Sequence, residues 1–144
     1  MFASISDIQN FLGDDKIIVT DANSSKANIE AERLIRGQLT GVFTTLTMSG
    51  WTSPDNTPDL IRGIAGRLAA AFIYRATYSE EQVEVPAYAQ MLYNEAIAML
   101  ADIVDGTLTV VDDGGDPIDN TGGILSFFPD DTTTPTFSMG QTFA

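Results

Sequence analysis

Thr57-Pro58-Asp59 opens the run that decides the architecture. Thr57 offers a capping oxygen, Pro58 sits where a first turn has no use for an N–H, and Asp59 suits the positive end of the helix dipole. Beyond it Leu60, Ile61, Ile64, Ala65, Leu68, Ala69, Phe72, Ile73 and Ala76 recur at helical spacing over more than one stripe. A helix apolar around so much of its circumference has to be wrapped by other helices, and Ala65, Gly66 and Ala69 leave room for a neighbouring backbone. The class expected is mainly α: a small antiparallel bundle of one short and three long helices, with a short C-terminal strand and an extended C-terminal arm.

The partners of the core helix are legible on either side of it. Residues 4–12 read as a short helix with Ser6 and Gln9 as a capping box, Gly13 as its stop, and Ile5, Ile8, Phe11 and Leu12 on the apolar face. Ile17, Ile18 and Val19 are too few to separate loop from strand, so residues 14–20 stand as a connector. A second helix is expected from Ser24 or Ser25 to about Thr40, with Ala27, Ala31, Leu34, Ile35 and Leu39 inward and Arg33 and Arg36 outward. Gly50 and Pro54 break the period, so residues 44–57 read as a loop or small hairpin. Pro86 opens the last helix, which carries Tyr88, Met91, Leu92, Ala96, Met99, Leu100 and Ile103 and stops at Gly106.

After Gly106 the period changes. Residues 107–111 alternate and are β-rich, a strand without a partner in its own sequence, and such an edge invites another chain. Residues 112–123 have the composition of a flexible acidic linker. The segment from Ile124 carries Leu125, Phe127, Phe128, Phe137, Met139 and Phe143, with Pro129 and Pro135 against any long helix. The chain thus divides into a helical body, residues 1–111, and a linker with arm, residues 112–144. An arm docking on another chain is the preferred reading over one that folds back to seal its own bundle.

Charge follows the same division. All seven Lys and Arg lie in residues 1–75 against eight acids, whereas residues 76–144 hold twelve acids and no basic residue, so the net −13 belongs almost wholly to the second part. Phosphate binding needs clustered Lys and Arg, so this chain is expected to repel DNA. The longest apolar run, residues 68–74, is far below a membrane span, and no basic region precedes an apolar run near Met1; a soluble protein without a secretory signal is expected.

Catalysis lacks its usual parts. There is no His or Cys, no Gly-x-Ser-x-Gly elbow and no phosphate-binding glycine loop, so no enzyme and no cofactor is expected. Asp112, Asp113, Asp116 and Asp119 offer hard oxygens to Ca²⁺, but their spacing departs from the EF-hand loop and a solvated linker is the plainer reading. Trp51, with Met48, either covers one end of the bundle or meets a neighbouring subunit; a lone Trp is usually buried. Arg33, Arg36, Arg62 and Arg67 are ordinary surface residues or pair with acids of the next copy.

The layout resembles the head-to-tail adaptor (connector, head-completion) proteins of long-tailed bacteriophages. The residues that carry the likeness are Ser4-Ile5-Ser6-Asp7-Ile8-Gln9-Asn10-Phe11-Leu12-Gly13, the core helix from Pro58 to Ala69, and Ala101-Asp102-Ile103-Val104-Asp105-Gly106. Phe127-Phe128-Pro129-Asp130-Asp131-Thr132 and Phe137-Ser138-Met139-Gly140 add to it. The resemblance implies a structural virion protein of the viral neck: a ring, commonly dodecameric, between portal and stopper or tail-completion protein, with DNA passing through during ejection. It implies assembly in the host cytoplasm and an arm, residues Ile124, Leu125, Phe127, Phe128, Phe137, Met139 and Phe143, that grips the portal. The rival class is an acidic decoy that imitates DNA to occupy a nuclease or repressor.

Overall fold

The structure, a computed structural model, describes residues 1–12, 19–80 and 87–118. Five helices account for most of them: α1 (Ile5–Leu12), α2 (Asp21–Leu39), the short α3 (Thr45–Ser49), α4 (Asp59–Glu80) and α5 (Ala87–Asp105), with a single 3-10 turn at Pro54–Asn56. The expected mainly α class is what forms. Helix α4 lies at the centre and touches α1, α2 and α5, as its broad apolar surface requires.

Capping sets the helix starts, and three of them differ from the sequence expectation. At α4, which begins at Asp59 with the Pro58 carbonyl accepting the Arg62 N–H, the Thr57 hydroxyl donates to the Ser53 carbonyl at 2.7 Å instead of capping the helix. Ser4, not Ser6, caps α1: its hydroxyl accepts from the Asp7 N–H at 3.1 Å, and the Asp7 carboxylate accepts the Ser4 N–H at 2.8 Å. Gln9 instead accepts the Val19 N–H at 3.1 Å and ties the connector back to α1. Helix α2 begins at Asp21 rather than at Ser24 because Thr20 and Asn23 form a reciprocal capping box, with Asn23 Oδ1 taking the Thr20 N–H at 2.7 Å. Residues 44–57 are the helical pieces α3 and the 3-10 turn, not a hairpin: Thr44 caps α3 by accepting from the Thr47 N–H at 3.0 Å. Gly106, at φ +84°, ends α5 as expected, because a left-handed stop suits a residue without Cβ. Gly13 and Pro86 lie outside the described residues.

The core gathers Ile8 and Leu12 of α1, Ala27, Ala31, Ile35 and Leu39 of α2, Ile61, Ile64, Ala65, Leu68, Ala69 and Ile73 of α4, and Leu92, Ala96, Leu100 and Ile103 of α5. Small residues on α4 let the helices approach. A Cβ on Gly66 would stand 2.9 Å from Phe11 of α1, so that glycine is required by the α1–α4 contact. At one end of the bundle Tyr74 stacks on Tyr78 and meets Tyr88 edge-on, which fastens α4 to the start of α5. At the other end Trp51 lies between Phe2 and Phe43, with ring centroids 6.0 and 5.6 Å away.

Residues 107–111 do not form a strand. Among the described residues the β pairing is a single antiparallel bridge, Val111 to Pro117. A tight turn makes it. Asp112 Oδ1 accepts the N–H groups of Gly114 and Asp116 at 2.9 and 3.0 Å, Gly115 adopts φ +85°, and the Ile118 N–H donates to Val110 at 2.9 Å. Residues 112–118, flexible by composition alone, therefore form a hydrogen-bonded turn that Ile118 ties to the body at Val110, itself buried in the core.

Candidate functional site

The four arginines offered to neighbouring subunits have different fates. Arg62 reaches from α4 to α1, where its Nε and Nη2 donate to the Asp7 carboxylate at 2.8 and 3.1 Å. Arg36 donates to the carbonyls of Met48 and Trp51 at 3.0 and 3.1 Å and lies over the Phe2 ring, clamping the α3 loop to α2. Arg67 covers the Phe11 ring at 4.7 Å. Arg33 alone of the four stands out in water, 74% exposed, with a loose 3.6 Å contact to Glu30. Trp51 is 4% exposed, its ring covering the bundle end. Three of the four cations thus serve the fold of their own chain, a role that spacing on a helix does not disclose.

Asp7 is the electrostatic centre of this arrangement. Burial pushes its carboxyl up, but the hydrogen bonds from Arg62 and from the Ser4 hydroxyl and N–H together outweigh burial and hold it below its ordinary value. The hydrogen bonds that Arg62 donates to Asp7 in turn raise the guanidinium above its ordinary value.

Helix α5 shows a different surface. Tyr88, Met91, Glu95, Ala98, Asp102 and Asp105 follow one another on its exposed side, and the helix contains no basic residue. Leu46, on α3, is 84% exposed, the largest exposure among the large apolar side chains described. Thr45-Leu46-Thr47 has no periodicity to single it out, so the sequence held no signal for it. Of the aspartates read as Ca²⁺ candidates, Asp112 accepts two backbone N–H groups through its Oδ1 and Asp119 lies outside the described residues; no group of three or more metal-binding side chains occurs among those described.

One cleft of about 540 Å³ opens between the first half of α2 and the last turns of α4. Ala27, Phe72 and Ile73 form its apolar floor, and Lys26, Arg75 and Glu30 stand at its rim. No carboxylate among the described residues lies within 4.0 Å of Lys26 or Arg75. Arg75 instead lies over the adjoining rings of Phe72 and Tyr93, 5.6 and 5.5 Å from their centroids.

The arm residues Ile124, Leu125, Phe127, Phe128, Phe137, Met139 and Phe143 lie outside the described residues. Compared with known protein families, curated proteins and solved structures, the chain matches none. No helix among the described residues is long and apolar enough to cross a membrane.

Proposed function

We propose that this chain is a structural head-to-tail adaptor of a long-tailed bacteriophage, acting by assembly rather than by catalysis. In this reading copies form a ring, twelve by the resemblance, between the portal and the stopper or tail-completion protein in the neck of the virion. The observation that carries it is a division of labour within the sequence. The described helices bury a common core, while the 26 residues beyond Ile118 hold four phenylalanines, three aspartates and no Lys or Arg. An acidic lining suits a channel that DNA must traverse without sticking, because like charge keeps phosphates in solution. The arm supplies aromatic anchors of the kind that dominate protein interfaces.

The test is to incubate the full chain with purified portal rings and to image the product. Added rings of density below the portal are expected, and a chain ending at Gly123 is expected to remain folded by circular dichroism yet fail to co-sediment with portal. Co-sedimentation of that truncated chain at full-length level would remove the arm from the mechanism. The decoy reading gains one observation: Glu95, Asp102 and Asp105 sit on a rigid helix face rather than on a linker. It requires instead that the chain displace DNA from a DNA-binding enzyme, which an adaptor does not do.

A further inference from the structure

We propose that the cleft between α2 and α4 is the docking site of the chain's own segment Phe127-Phe128-Pro129-Asp130-Asp131. A 540 Å³ opening is in the range that accepts a bound group rather than solvent alone. Its floor of Ala27, Phe72 and Ile73 takes an aromatic ring. Its rim carries two cations, Lys26 and Arg75, without a carboxylate partner among the described residues. Glu30, the rim's one acid, is turned to Arg33 at 3.6 Å. The complementary occupant has an aromatic residue followed closely by two negative charges. Beyond Ile118 the sequence sets aromatic and acidic residues side by side only at positions 127–131: Phe137 and Phe143 have no acid near them, and Asp119 has no aromatic. Pro129 also favours an extended Phe128, which spaces ring and carboxylates along the cleft.

Chain length assigns the segment to its own cleft rather than to that of a second copy. Helix α4 runs antiparallel to α5, since Tyr74 meets Tyr88, so the cleft lies near the start of α5 while Ile118 lies beside Val110 past its end. From Tyr93, which faces Arg75, to Asp105 the helix rises about 18 Å, so the gap to span is roughly 20 Å. The nine residues from Ile118 to Phe127 stretch to at most about 30 Å and have a root-mean-square span of about 17 Å as a coil. A tether whose natural span matches its gap gives an effective concentration around the millimolar range, which a second copy at ordinary concentration does not reach. Docking does not depend on the adaptor reading. Where that reading holds, the cleft keeps the phenylalanines covered until the portal takes them.

The chain has no cysteine, so disulfide trapping is unambiguous. Ala76→Cys, at an exposed position lining the cleft, combined with Thr132→Cys in the full chain is expected to close rapidly to an internally linked monomer in dilute solution. Adding Lys26→Glu and Arg75→Glu is expected to slow closure about tenfold, as loss and reversal of complementary charges does. Lys26→Glu alone disturbs no aromatic contact, and is expected to slow closure by a smaller factor even if the double reversal impairs folding. Closure at the same rate in the charge variants, no closure, or linked dimers in place of monomers each overturns the proposal. Portal co-sedimentation of the Lys26→Glu chain is scored separately, so either idea can fail with the other intact.

Discussion

Asp7 holds together two things that a single carboxylate seldom serves at once. It closes the first turn of α1 through the Ser4 N–H, and it accepts a forked pair of bonds from Arg62 on α4. Because its folded pKa is depressed, the unfolded chain takes up the proton first as pH falls. The stabilisation is therefore complete above the ordinary carboxylate value of about 4 and is lost as pH drops through the lower folded value. Asp7→Asn keeps a capping oxygen but loses the charge, and is expected to cost about 1–2 kcal/mol at neutral pH, at the modest end because both side chains retain some water contact. Urea denaturation of the two chains at pH 7 and at pH 3 measures it: the gap should narrow in acid, and a gap that widens there contradicts the assignment.

The helices themselves were largely legible, and where they were not the reason lies in hydrogen bonds between distant residues. Spacing located α4 and α5 because both bury wide apolar faces, and Gly106 marked a true stop. Spacing could not locate Asn28, which is 1% exposed in the middle of α2. Its amide accepts the Ala3 N–H and donates to the Ala3 carbonyl, both at 3.1 Å, in the manner of a neighbouring strand. Nothing near Asn28 in sequence announces a partner 25 positions away. Asn28→Ala leaves both Ala3 groups buried without it, and is expected to cost about 2–4 kcal/mol on the scale of 1–3 for each orphaned group, read as a lowered denaturation midpoint. The glycines of α4 give a paired check. Gly63→Ala meets only the far end of the Arg67 side chain at 3.4 Å and should gain about 0.5–1 kcal/mol of helix propensity. Gly66→Ala meets Phe11 at 2.9 Å and should be destabilising by about 1 kcal/mol or more as α1 is pushed off. Equal effects at the two sites would mean that α1 does not rest on α4 as described.

For the whole molecule, charge decides how copies meet. The uneven distribution was plain in the sequence, but which cations remain available was not: Arg62 is committed to Asp7, while Arg36 and Arg67 are bound to backbone or aromatic faces of their own chain. What a neighbour meets is mostly acid, and a net charge of −13 on 144 residues opposes self-association. Raising the ionic strength from 0.02 to 0.5 M shortens the screening length from roughly 20 Å to about 4 Å and removes most of that repulsion. Exposed apolar side chains such as Leu46, Ile29 and Met91 are then free to make contacts that charge had prevented. Sedimentation velocity at the two salt concentrations is therefore expected to show monomer in low salt and larger species in high salt. The reverse order, assemblies that fall apart as salt is added, would place Arg33 and Lys26 against the acidic face of α5 in the adjoining copy and make opposite charges, not apolar contact, the bond between subunits.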